Sequence, residues 1–444
     1  MKKKILLAGL GVLTLPLFAE GTAGQSAAIN SGDTAWILVS ALLVLMMTVP
    51  ALALFYGGLV RKKNMLSTFY YSFASALIVS VLWVIGQYSL IFSVSGAAPG
   101  GLAGWIGGFK NFFMNGVGTT SVHPNAPTIP EVVYSVYQLM FAVITVALIS
   151  GTVVERMSFK AWFIFTFLWS LVVYTPLAHW VWNPEGVLNR LGVLDFAGGL
   201  VVHTSSGVSA LVAAIVLGPR LGFRQTPINP PGNIAYVFIG AALLWAGWFG
   251  FNAGSAVTAS GLAGNAFLVT NTAGAVGGLT WLFLEWFIIK RPSLVGACTG
   301  LVAGLAAVTP AAGSIDVAGA VVIGLAASLI SYSFMAVLRK KFRYDDALDV
   351  FSVHGLGGFW GMLATGFFAD GVVNPAARGV IAGNWAQLGV QALSLAMGAG
   401  LAAAGTLVCL LATKLLCGGK LRPREQEETG GLDLSQHGEQ IEAE

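Results

Sequence analysis

Eleven apolar stretches, each near or above the ~20 residues that a helix needs to cross a hydrocarbon core, constrain this chain more than any other feature. They run over 34–60, 65–94, 131–154, 160–182, 197–218, 234–256, 266–289, 294–310, 315–338, 350–369 and 384–416. The eighth is short and rich in glycine. Inside a bilayer every backbone polar group needs a partner within the protein, which restricts such stretches to helices. Composition agrees: of 444 residues, 56% are hydrophobic and 9% are charged, against about 25% charged in a soluble domain. The 57 glycines suit helices that approach closely in lipid. The expected fold is an all-α polytopic membrane protein with eleven transmembrane helices.

The charges set the orientation. "RKKN" follows the first stretch, "ERMSFK" the third, "PRLGFR" the fifth, "KRP" the seventh, "RKKFRYDD" the ninth and "KLRPREQEE" the eleventh. The opposite loops hold only Lys110, Arg190 and Arg378. The positive-inside rule then puts the mature N-terminus outside and the C-terminus in the cytoplasm. Residues 1–28 read as a signal peptide: a basic start, a short apolar run, then small residues. Cleavage is expected between Ala19 and Ala28, which suits a bacterial inner-membrane protein. A membrane domain over 29–417 and a polar cytoplasmic tail over 418–444 follow. The last stretch is long enough, at about 50 Å as a helix, to require a tilt. The outer loop from 95 to 130 holds Trp105, Phe109, Phe112 and Phe113, which read as interfacial anchors. Cys298, Cys409 and Cys417 have no disulfide or metal-ligand spacing, and neither metal nor cofactor is expected.

Two histidines fall inside apolar stretches, where ionisable groups commonly mark substrate or proton paths. His203 stands in "LDFAGGLVVHTSSG", which opens the fifth stretch, and His354 in "LDVFSVHGLGG", which opens the tenth. Each segment has Leu-Asp, then histidine, then small residues. A separation of five stretches makes the halves antiparallel, so the expected architecture is a 5+5 inverted repeat followed by a long tilted helix. Such repeats place their site near the midplane. For the two rings to meet, both helix starts must be recessed below vestibules, with a narrow middle between them. A touching pair would titrate as a unit and pass a proton from one side to the other. Asp195 and Asp349 begin the same stretches; each reads as an N-cap, and Asp195 also as a buried carboxylate beside a cation. Phe141, Phe251 and Trp182 offer aromatic faces that attract cations, and Ser255 a hydroxyl. Spacing alone does not bring these four together.

"DFAGGLVVHTSSGVSALVAAIVLGPR", "PALALFYGGLVRKKNMLS", "GWFGFNAGSA", "PSLVGACTGLVAGLAAVTPAAG" and "DVFSVHGLGG" together resemble the ammonium transporter family, of bacterial type. The tail "RPREQEETGGLDLSQHGE" resembles that of bacterial members as well. The resemblance implies a homotrimer with one pore per subunit. Trp182, Phe141 and Ser255 would bind ammonium on the outer side, with Asp195 supporting the site and the deprotonation. Phe141 and Phe251 would stack as a gate, and His203 and His354 would be the paired histidines of the pore. It further implies a PII-type signalling protein on the cytoplasmic face. Ammonium and potassium are alike in size and charge, but only ammonium can lose a proton. A dry constriction passing ammonia while histidines relay the proton would separate them. Three alternatives remain open at this point: an ammonium sensor that signals through the tail, a gas channel of the related Rh type, and a membrane enzyme with haem between His203 and His354.

Overall fold

The apolar stretches fold as helices, and among the described residues there is no strand beyond an isolated bridge between His123 and Ala126. The computed structural model describes residues 29–96, 101–223, 231–338, 341 and 344–441. The expected signal peptide over 1–28 lies outside the described residues. Nine helices among those residues are long and apolar enough to cross a membrane. They are α1 (Ser31–Leu59), α2 (Lys62–Phe92), α3 (Glu131–Val153), α4 (Phe159–Arg190), α5 (Gly199–Leu217), α6 (Ile234–Ala256), α7 (Gly261–Ile288), α9 (Val317–Val337) and α11 (Trp385–Leu416). At the eighth and tenth expected positions stand α8 (Leu294–Val308) and α10, a turn over Phe351–Gly355 running on into Leu356–Phe368. These two are not among the nine. The 15 residues of α8 reach only ~22 Å at 1.5 Å per residue.

Both histidine-bearing helices open in the same unusual way. Each begins with a π-helical turn, Gly199–Thr204 in α5 and Phe351–Gly355 in α10. The His203 amide accordingly reaches back five residues, to the carbonyl of Gly198, at 3.0 Å. Gly198 sits at φ +107°, a left-handed conformation that glycine adopts without a Cβ penalty. Wide turns of this kind re-aim side chains and recur at functional sites. The two helices then cross where glycine meets glycine. A Cβ on Gly207 would stand 2.2 Å from the Cα of Gly355, so only hydrogen at position 207 permits the approach. That backbone contact is what lets residues of distant stretches face each other.

The capping carboxylates correct one sequence expectation. Asp195 does cap α5: its carboxylate accepts from the amides of Gly198 (3.0 Å), Gly199 (2.5 Å), Leu200 (2.9 Å) and Val201 (3.1 Å). In α10 the amide of Phe351 is capped by Asp346, at 2.8 Å. Asp346 lies eight residues before His354, as Asp195 lies eight before His203. The two Leu-Asp pairs therefore do not correspond.

The segments that follow α1, α3, α5 and α9 converge on a buried ionic cluster. Glu155 binds Arg61 (2.8 Å) and Arg220 (2.6 Å), and Asp345 binds Arg220 and the fully buried Arg156 at 2.8 Å each. Burial alone would raise the Glu155 carboxyl, but Arg220 and Arg61 outweigh it and hold it below the usual carboxylate range. Asp345 is held low by the same balance, with Arg220 and Arg156 winning over burial. The tail docks beside this cluster. Its short helix α12 (Glu425–Gly430) carries Glu428, which takes the guanidinium of Arg422 and the amide of Leu221. Asp433 then caps the start of α2 through the amides of Leu66 (3.0 Å) and Ser67 (2.7 Å).

Candidate functional site

One end of the site is a recess of about 210 Å³ lined by Asn125, Tyr134, Gln138, Phe141, Trp182, Asn189, Phe196, Ser255 and Val257. Three of the expected residues meet here, from three helices. Phe141 comes from the middle of α3, Trp182 from the later part of α4, and Ser255 from the last turn of α6. Trp182 is fixed at both its backbone and its ring. Its carbonyl accepts from Asn125 Nδ2 (2.7 Å), and its indole N–H donates to the carbonyl of Asp195 (3.0 Å). The Trp182 and Phe141 rings meet edge to face, with centroids 5.6 Å apart. Ser255 Oγ donates to the Phe251 carbonyl (2.8 Å) and lies 3.2 Å from the Tyr137 hydroxyl. With its proton used, the Ser255 oxygen keeps acceptor capacity toward the recess. Aromatic faces and a hydroxyl acceptor suit a small cation.

Asp195 is not part of that lining. Its side chain is spent on four backbone amides, while its carbonyl holds Trp182. It shapes the recess from behind. The physical cause is the helix start itself, whose free N–H groups and dipole attract a carboxylate.

Below the recess the Phe141 and Phe251 rings stack, centroids 4.3 Å apart and planes at 26°. Both are buried. Beneath them His203 and His354 lie nearly parallel, and Nδ1 of one is 3.2 Å from Nδ1 of the other. The two bonded residues are 151 positions apart in sequence. Next to the rings is a cavity of about 10 Å³, lined also by Met47, Leu52, Phe55, Tyr56, Leu148, Leu244, Trp248 and Val302. That is room for about one water-sized molecule. The lining carries no side-chain charge, so a bare cation would be desolvated there at high cost. Ring nitrogens in direct contact also leave no gap for a haem plane, which removes the axial-ligand reading. Among the described residues no group of three or more His, Cys, Asp or Glu is disposed to hold a metal.

Residues 35–442 match the model of the Ammonium Transporter Family. The chain belongs to the ammonium transporter family. It is a multi-pass membrane protein. It is 46% identical to a Bacillus subtilis protein named "Ammonium transporter", over 92% of this chain and 98% of that one. To the protein of that name from Aquifex aeolicus it is 42% identical, over 97% of each. Among solved structures, Candida albicans Mep2 superposes with a TM-score of 0.83 at 33% identity, covering 91% of this chain and 89% of that one. A structure described as "Sensor Amt Protein" superposes with a TM-score of 0.82 at 27% identity, covering 91% and 98%.

Within this ammonium transporter family member, sequence reasoning missed several site residues. Tyr137 and Trp248 precede Phe141 and Phe251 by four and three positions. That is the spacing of neighbours on one helix face, a signal that was available. Gln138, three positions before Phe141, carried the same signal, whereas Asn125 in an irregular segment and Asn189 in the last turn of α4 carried none and reach the recess through tertiary contacts. The aromatics of the 95–130 loop divide. Phe112 packs against Gly86 toward the end of α2, whereas Phe109 and Phe113 are exposed.

Proposed function

We propose that this protein conducts ammonium across the bilayer by separating it into ammonia and a proton. The cation is recruited in the outer recess, against the faces of Trp182 and Phe141 and the Ser255 oxygen. Asp195 supports the site by holding Trp182 and the start of α5. The Phe141–Phe251 stack is the gate. Ammonia passes the uncharged cavity below it, and the proton moves along the His203–His354 contact. Potassium has no proton to give up and stays outside. The observation that carries this reading is the 3.2 Å contact of the two rings beside an uncharged cavity with room for one small molecule.

The same reading takes all eleven helices as crossings, arranged as a 5+5 inverted repeat plus α11. The equal eight-residue spacing from capping Asp to His in α5 and α10 supports the repeat. The basic clusters put the tail in the cytoplasm of a bacterial cell, with the mature N-terminus outside. Homotrimer assembly and a PII-type partner on the inner face belong to the same reading, and the docked tail offers that partner a folded surface.

Purified full-length protein in proteoliposomes tests the conduction. Ammonium pulses are expected to evoke currents and potassium pulses none. His203→Ala and His354→Ala should lose either the current or the discrimination. Selective wild-type currents in both variants would refute the relay. A sensor reading is favoured by the likeness to the "Sensor Amt Protein" and by the docked tail. It predicts ammonium binding without current.

A further inference from the structure

His203 has a second aromatic neighbour besides the gate. The indole of Trp248 lies over its ring, centroids 5.5 Å apart and planes at 25°. Trp248 is buried, and its N–H donates to Thr309 Oγ1 at 3.0 Å. Thr309 in turn donates its hydroxyl proton to the carbonyl of Leu305 at 2.8 Å. The indole is thus tied to the end of α8, a different helix from its own. Trp248 and His354 lie near the His203 ring with planes within 25° of it. The second ring nitrogen of His203, Nε2, is buried with no hydrogen-bond partner.

A relay must place positive charge on His203 for part of each cycle. The cavity lining offers no carboxylate to offset that charge, and the Asp195 carboxylate is committed to backbone amides. The face of an indole is the strongest neutral attractor of a cation among side chains, effective within about 6 Å and stronger when desolvated. We propose that Trp248, braced by Thr309, is a positioning residue of the histidine relay: it fixes the plane of His203 and stabilises the imidazolium each time it forms. This rests on the relay reading above.

The test uses full-length protein in proteoliposomes and separates maximal current from half-saturating ammonium. Trp248→Leu removes the π face, Trp248→Phe keeps one without the N–H, and Thr309→Val removes only the brace. Trp248→Leu is expected to lower the maximal ammonium current about thirtyfold, the size of a desolvated cation–π contact. The half-saturating concentration should stay within about twofold, because the recess is untouched. Trp248→Phe and Thr309→Val both keep a π face and lose the brace, so each should lose only about threefold. A wild-type maximal current in Trp248→Leu, with His203→Ala impaired, would overturn the inference and leave the relay standing. Equal losses in the Leu and Phe variants would also overturn it, since packing alone would then explain them. If Trp248→Leu does not assemble, Thr309→Val decides, and an undiminished current there refutes the brace. Selective wild-type current in His203→Ala would instead overturn the relay itself.

Discussion

Gly207→Ala places one methyl group at the crossing of α5 and α10, and its consequence can be worked out from the geometry. The added Cβ would stand 2.2 Å from both the Cα and the N of Gly355 and 3.0 Å from the carbonyl carbon of His354. Carbon atoms rest at about 3.5 Å. The obstacle is backbone on both sides, so no rotamer change relieves it, and the helices must part by about 1.3 Å. His203 and His354 sit within one turn of this crossing, and their 3.2 Å contact would open to about 4.5 Å. That exceeds any hydrogen bond. Overpacking of this kind costs about 1–3 kcal/mol, which a folded membrane protein can survive. Misplacing a reacting group by about 1 Å can cost up to a hundredfold in rate. The expected result is a correctly assembled protein with a lowered melting temperature and an ammonium current reduced about 10- to 100-fold. Gly389→Ala is the matched control, because nothing lies within 4 Å of a Cβ there. Currents from proteoliposomes at equal protein content provide the measurement. A Gly207→Ala protein with wild-type current and selectivity would refute the claim that ring contact limits conduction.

Three further outcomes are expected. Ser255→Ala removes the hydroxyl acceptor of the outer recess; a hydrogen bond to a charged partner is worth about 1.5–3 kcal/mol, so the half-saturating ammonium concentration should rise at least about tenfold, and an unchanged value would remove Ser255 from the site. Asp433→Ala takes the cap from the start of α2, at a cost of about 1 kcal/mol. Amide hydrogen exchange should then quicken in the tail and around Leu66, and unchanged protection would show that the tail docks by other contacts. Glu155 and Asp345 have folded carboxyls held below their ordinary values, 4.5 and 3.8. Their contribution to stability is present above those values and is lost as pH falls through the lower folded ones. The melting temperature should drop as pH is taken from 5 to 3, less so in Glu155→Gln, and identical acid profiles for the two proteins would exclude Glu155 as a contributor.

The sequence by itself determined that this is a helical membrane protein and roughly where its helices lie. Hydrocarbon leaves no other way to satisfy the backbone, and apolar length is read directly from the chain. It also singled out His203 and His354, because ionisable rings in such surroundings are rare enough to stand out. Tertiary structure alone decided that the two rings touch. That depends on hydrogen at position 207 meeting the backbone of Gly355, a contact between stretches about 150 residues apart that no periodicity encodes. The match of Asp346 to Asp195 was likewise tertiary: only the wide first turn brings the Asp346 carboxylate to the amide of Phe351. The recess shows the same limit. Phe141, Trp182 and Ser255 come from three helices, and their convergence arises from packing, where sequence neighbours on one helix face predict only each other.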